Sequence, residues 1–200
     1  MAKIGILGGS FHPIHNGHLQ LGQYCLDKRI VREVWFIPTG VSYLKAGMKM
    51  LTGEERLHLV ELAIQGNPRM KALDIEIKRP GNTYTVETLE ELKKSYPEHE
   101  FCFIIGADCL FSMESWYRAD DIFKMAELLV ARRDGKSYAE MQRKARDLEE
   151  RFGARIRILR FEEMDISSTQ IRERLKAGKD TSDLLPEAVC KEIKKRKYFK

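Results

Sequence analysis
Near the start of the chain, Gly8-Gly9-Ser10-Phe11-His12-Pro13-Ile14-His15-Asn16-Gly17-His18 places two adjacent glycines and three histidines in one short segment. Glycines that end a strand and lead into a helix let backbone N–H groups approach phosphate oxygens, because no Cβ intervenes and the helix amino end is partially positive. No Gly-Lys-Ser/Thr follows, as a Walker loop requires, and the three-glycine spacing of a dinucleotide fingerprint is absent. Histidine supplies the charge instead. His15 and His18 lie three apart at a helix start, so their imidazoles share a face and can point at one phosphate chain. As imidazolium they would stabilise charge building on a leaving pyrophosphate. The plainer reading is that these histidines only pack a turn.

A second segment, Ser167-Ser168-Thr169-Gln170-Ile171-Arg172, has the Ser167/Gln170 spacing of a capping box. Read alone it is a helix cap. Hydroxyls and N–H groups at a helix start, with an arginine within about a turn, are also what a triphosphate tail requires.

These segments need elements to hold them. Apolar runs predict buried strands over Lys3 to Leu7, Val34 to Ile37, Met70 to Ile77, Phe101 to Ile105, Leu128 to Ala131 and Ile156 to Leu159. A helix starts near Asn16, and others are predicted over Thr52 to Ile64, Tyr84 to Ser95, Tyr138 to Arg151, Ser167 to Lys176 and Pro186 to Lys197. Alternating strand and helix implies an α/β fold: a Rossmann-like, doubly wound parallel sheet with helices on both faces and ligands at the carboxyl ends of the strands. Val41 to Met50 lacks clear periodicity and reads as a loop.

Composition sets the outer bounds. The chain has 200 residues, 43% hydrophobic and 32% charged, enough for one sizeable core, and residues 1–200 are expected to form a single domain. The net charge of +5 comes from 35 basic and 30 acidic residues mixed along the sequence, a surface mildly receptive to anions. Cys25, Cys102, Cys109 and Cys190 have no C-x-x-C spacing, which argues against a zinc knuckle or redox motif. With no apolar run of membrane-spanning length and no leader-like start, the expected location is cytoplasmic, with no membrane partner.

With both phosphate segments in place, the chain resembles the nucleotidylyltransferase superfamily that carries H-x-G-H near its start and I-S-S-T-x-x-R near its end. Arg79-Pro80-Gly81-Asn82-Thr83-Tyr84-Thr85 and Gly106-Ala107-Asp108 with Trp116-Tyr117 resemble its nicotinate-nucleotide adenylyltransferase branch. The resemblance implies transfer of AMP from ATP to nicotinate mononucleotide, giving nicotinate adenine dinucleotide and pyrophosphate. It implies that His15, His18 and Arg172 carry the chemistry. ATP would also meet Gly8, Gly9, Ser10, Phe11, Gly106, Asp108, Ile166, Ser167 and Ser168, with Arg133 aligned near the adenine. Trp116 and Tyr117 would flank the pyridine ring, Thr85 would receive its carboxylate, and Lys45 would reach the mononucleotide phosphate. Taken singly, Asp108 and Thr85 also read as helix caps, Trp116-Tyr117 as core, and Arg133 as a solvated arginine.

The attacking phosphate is largely dianionic at neutral pH, its second ionisation lying near ~6, so no protein base is called for. Magnesium would accompany ATP, held by phosphates and water, with no protein metal ligands. Three departures stand out: the family usually has aspartate at His12, its Pro-His-Lys reads Tyr43-Leu44-Lys45 here, and its Arg-Pro-Gly reads Arg132-Arg133-Asp134-Gly135. Rival readings are transfer to another phosphate acceptor, as in pantetheine-phosphate adenylyltransferases or the cytidylyltransferases of the superfamily, and a non-catalytic nucleotide- or RNA-binding module suggested by a pI of about 9.0 and the run Lys191, Lys194, Lys195, Arg196, Lys197. The basic run has a plain explanation as complement to a helix carboxyl end, so no nucleic-acid partner is expected. Homo-oligomer formation is left open.

Overall fold
The computed structural model describes residues 1–40, 50–132, 135–161 and 166–199. Its centre is a parallel sheet of six strands: β1 (Ala2–Gly9), β2 (Glu33–Pro38), β3 (Met70–Ala72), β4 (His99–Gly106), β5 (Glu127–Ala131) and β6 (Ile156–Ile158), in the order β3-β2-β1-β4-β5-β6. The chain winds outward from β1 to β3, then returns to the other side of β1 for β4 to β6. The strand order therefore reverses between β1 and β4, and in such sheets ligands bind in the crevice beyond the strand ends at that reversal.

Side chains alternate across the sheet with the two-residue period of a strand. Leu7, Val34, Phe36, Cys102, Ile104 and Leu129 face one core layer, under α1 (Asn16–Asp27), α2 (Gly53–Ile64), α8 (Ser168–Lys176) and α9 (Glu187–Arg196). Ile4, Ile6, Trp35, Ile37, Phe101, Phe103, Leu128 and Val130 face the other, under α4 (Thr85–Ser95), α6 (Ala119–Met125) and α7 (Tyr138–Phe152). Two buried faces explain why the strands read as apolar runs. The predicted doubly wound sheet is thus observed. Among the described residues no helix is long and apolar enough to cross a membrane.

One predicted strand is corrected. Met70 to Ile77 reads as a strand because Leu73, Ile75 and Ile77 alternate with Asp74 and Glu76, yet β3 ends at Ala72 and Ile75–Lys78 form a single helical turn, α3. Pairing stops where β2 runs out: Leu73 N–H donates to the Phe36 carbonyl at 2.9 Å, and β2 closes two residues later at Pro38, which has no N–H to offer. The predicted helices otherwise hold to within a residue or two. α5 (Ala107–Ser112) and α6 are short helices that periodicity did not delimit.

Candidate active site
The phosphate turn is built by the end of β1 and the start of α1. His15 occupies the N-cap and His18 the third helical position, where its Nδ1 accepts the His15 backbone N–H at 3.3 Å. Their rings lie 3.7 Å apart at the centroids, and Phe11 meets His18 edge-on at 5.1 Å. The two imidazoles therefore share a face, as their spacing predicts.

The late segment folds back onto this turn. Ser167 caps α8 by accepting the Gln170 N–H at 3.1 Å, the half of the capping box that forms. Ser168 Oγ donates to the Pro13 carbonyl at 3.0 Å, and Arg172 Nη1 donates to the His12 carbonyl at 2.8 Å. Nη2 of Arg172 donates to Thr169 Oγ1 at 3.0 Å. Burial lowers the Arg172 pKa from its ordinary value, but a guanidinium starts so high that it stays charged. Segments separated by about 160 positions thus converge on one turn.

Two joined cavities open at the carboxyl ends of β1 and β4. The larger, about 560 Å³, is lined by Gly8, Gly9, Ser10, Phe11, His12, His15, His18, Gly106, Asp108, Ser167, Ser168 and Arg172. The smaller, about 160 Å³, is lined by Thr39, Glu76, Thr83, Tyr84, Thr85, Thr88, Phe103, Trp116 and Tyr117. A cavity near 150 Å³ takes one benzene-sized ring, so the smaller space matches a single aromatic ring. Both share Gly8, Gly9, Phe103 and Trp116 as walls.

Aromatic contacts shape the smaller cavity. Trp116 is half-buried and meets Phe103 edge-on at 6.2 Å, whereas Tyr117 is 52% exposed and leans on Tyr84 at 4.7 Å. Thr85 is the first residue of α4, so the amino end of that helix faces the same space. Asp108 is exposed in the first turn of α5, beside the larger cavity. Ile166 is 5% exposed and belongs to the core beneath α8 rather than to a cavity wall. His12 is buried, its Nδ1 accepting the Leu51 N–H at 3.4 Å and its ring meeting Phe199 at 4.9 Å. Lys45 and Arg133 lie outside the described residues. Among the described residues no group of three or more His, Cys, Asp or Glu is placed to hold a metal ion.

Two buried charged residues at the site escape sequence reasoning. Arg56, 4% exposed on α2, donates from Nη1 to the Ser10 carbonyl at 2.7 Å, from Nη2 to the Thr39 carbonyl at 2.6 Å and from Nε to the Leu51 carbonyl at 3.3 Å. Glu76, 7% exposed on α3, accepts Thr88 Oγ1 at 2.9 Å and also bonds the Thr83 side chain and the Gly40 N–H. Burial raises the Glu76 pKa above the ordinary carboxylate value, while these partners and Arg79 pull it back. In the sequence, Arg56 looks like one more charge in Glu54-Glu55-Arg56, and Glu76 like the polar member of an alternating strand.

An anion turn at the switch point of a doubly wound sheet, joined to a one-ring cavity, defines a nucleotide-handling α/β protein. The family model that matches residues 6–174 is described as Cytidylyltransferase-like. A relative from Lachnoclostridium phytofermentans, named probable nicotinate-nucleotide adenylyltransferase, is 40% identical, with the whole of both chains covered. One of the same name from Dehalococcoides mccartyi is 40% identical over 98% of this chain and 97% of its own. The nicotinic acid mononucleotide adenylyltransferase of Plasmodium falciparum, solved in complex with NaAD, superposes with a TM-score of 0.78 at 18% identity, covering 100% of this chain and 98% of that one. The chain belongs to the cytidylyltransferase-like family, among its nicotinate-nucleotide adenylyltransferases.

Proposed function
We propose that the chain transfers AMP from ATP to nicotinate mononucleotide, with the triphosphate in the larger cavity and the pyridine ring in the smaller. The observation that carries this reading is the shared wall at Gly8-Gly9, across which the phosphate of a ring-bound mononucleotide would meet the triphosphate. An oxygen of the mononucleotide phosphate attacks the α-phosphorus of ATP in line. The bond from that phosphorus to the bridging oxygen breaks, and its electron pair leaves on pyrophosphate.

The protein's part is to hold two anions together and to meet the charge that develops. His15 and His18 donate to the phosphates with the backbone N–H groups of the turn, and Ser168 and Arg172 hold the β- and γ-phosphates. Asp108 accepts ribose hydroxyls, Trp116 and Tyr117 bracket the ring, and Thr85 with the amino end of α4 receives the ring carboxylate. Lys45 and Arg133 are the residues that the family resemblance assigns to the mononucleotide phosphate and the adenine. Among the described residues that line the larger cavity, Asp108 is the one carboxylate, beside imidazoles and a guanidinium, so a magnesium ion would take most of its ligands from ATP and water. Bound there, it would neutralise phosphate charge. Four free cysteines accord with a reducing compartment, and we place the enzyme in the cytoplasm.

The test is incubation with magnesium, ATP and either the acid or the amide mononucleotide, measuring pyrophosphate and dinucleotide. Dinucleotide should form faster from the acid, and His18→Ala should lower turnover about 100-fold or more. Equal rates with acid and amide would refute the carboxylate assignment, and near-normal turnover in the variant would remove His18 from the mechanism.

A further inference from the structure
The Thr39–Gly40 peptide, just beyond β2, is held at each end by a buried ionisable side chain. Its carbonyl accepts Arg56 Nη2 at 2.6 Å, and its N–H donates to the Glu76 carboxyl. A cation on the oxygen and an acid on the N–H polarise one amide in the same sense, so each bond strengthens the other. Only glycine fits at the second position: a Cβ on Gly40 would stand 2.2 Å from the Glu76 carbonyl oxygen and 2.8 Å from Thr83 Cγ2.

Each side chain also reaches one half of the site. Through Nη1, Arg56 grips the Ser10 carbonyl in the phosphate turn, 2.7 Å away. Glu76 gathers the Thr83 and Thr88 hydroxyls that wall the ring cavity. The chain of contacts therefore runs from phosphate turn to Arg56, to the Thr39–Gly40 peptide, to Glu76, to ring cavity. Arg56 lies outside both cavities, whereas Thr39 and Glu76 form part of the ring-cavity wall.

We propose that Arg56 and Glu76 are paired positioning residues whose clamp on the Thr39–Gly40 peptide sets the distance between the phosphate turn and the ring cavity. The proposal rests on the adenylyltransferase reading only for its kinetic consequence. In-line attack needs the two phosphates within a few tenths of an ångström of their proper separation, and a 1 Å error can cost about 100-fold. Loosening the clamp leaves each subsite formed but shifts one against the other, so kcat falls while binding of either substrate alone survives.

The experiment uses the full chain with Arg56→Lys, Glu76→Gln and the double variant, followed by kcat, separate calorimetric binding of ATP and mononucleotide, and the Gly40 amide resonance in nitrogen-edited NMR. Each single variant should lower kcat about tenfold, with either substrate alone binding within about threefold of wild type. The double variant should fall no more than about threefold below the worse single, because both act through one peptide. The Gly40 amide should move in both single variants. Multiplicative losses, a kcat that stays put, or a Gly40 amide silent in either variant would overturn the clamp. A variant too unstable for kinetics is replaced by Arg56→Gln or Glu76→Asp, read by the same amide. If wild type makes no dinucleotide, the functional reading fails alone, and the Gly40 amide still decides the clamp.

Discussion
Replacing Gly17 by alanine separates the stability of the phosphate turn from its chemistry. Gly17 lies in the first turn of α1 between the two histidines, and a Cβ there would stand 3.2 Å from His15 Nδ1 and 3.3 Å from Cε1. Those contacts are tighter than ordinary van der Waals approach, so the imidazole must give by a few tenths of an ångström. It has little room, being 3% exposed with its ring centroid 3.7 Å from that of His18. For the fold the change is nearly balanced. Alanine in place of helical glycine gains about 0.5–1 kcal/mol, and mild overpacking costs about 1 kcal/mol. The melting temperature should therefore stay within about 4 °C of wild type. For the reaction the change is one-sided. If displacement costs about 100-fold per ångström, a few tenths lower kcat about three- to tenfold. Thermal melting and a pyrophosphate-release assay on one preparation decide it. Wild-type kcat at an unchanged melting temperature would refute the claim that the His15 ring position sets the rate. A melting temperature lower by about 10 °C would refute the energetic balance.

The thiols of Cys25 and Cys102 are fully buried, and burial pushes the pKa of each up to about 12. Only about one molecule in ten thousand then carries either thiolate at a pH of about 8, so iodoacetamide should leave both unlabelled in the native protein by mass spectrometry. Labelling of either before unfolding would contradict their burial. The raised Glu76 pKa means that the folded protein keeps a proton where the unfolded chain has released it. The group's contribution is therefore full below the unfolded pKa and is lost as pH rises through the folded one. Glu76→Gln should accordingly gain stability relative to wild type as pH rises above the ordinary carboxylate pKa of about 4.3 in urea titrations, and a constant difference would count against the shift.

How far the sequence could be read depended on whether the informative partner was local. The Gly8 to His18 turn was legible because its chemistry and its geometry both lie within one strand-to-helix junction. The sheet was legible because both faces of β1, β4 and β5 are buried, leaving long apolar runs. Met70 to Ile77 misled because its alternation is real while its reason is not sheet pairing: Ile75 packs against one core layer, and Glu76 turns inward to three hydrogen-bond donors.

Arg56 and Glu76 expose a more general limit. A carboxylate paired with an arginine leaves two complementary residues in the sequence, and a reader can look for both. A buried arginine that binds the carbonyls of Ser10, Thr39 and Leu51 leaves one, since every residue carries a carbonyl. Its partners are chosen by where the backbone passes, not by side-chain type. The same holds for Arg172, whose bond to the His12 carbonyl would survive any side chain at position 12 that keeps the backbone path. The departure at His12 therefore leaves the link between the two phosphate segments intact, because that link runs through main-chain atoms. What the substitution alters is the cavity wall itself, where a ring packed on Phe199 and bonded to Leu51 N–H stands in place of a carboxylate.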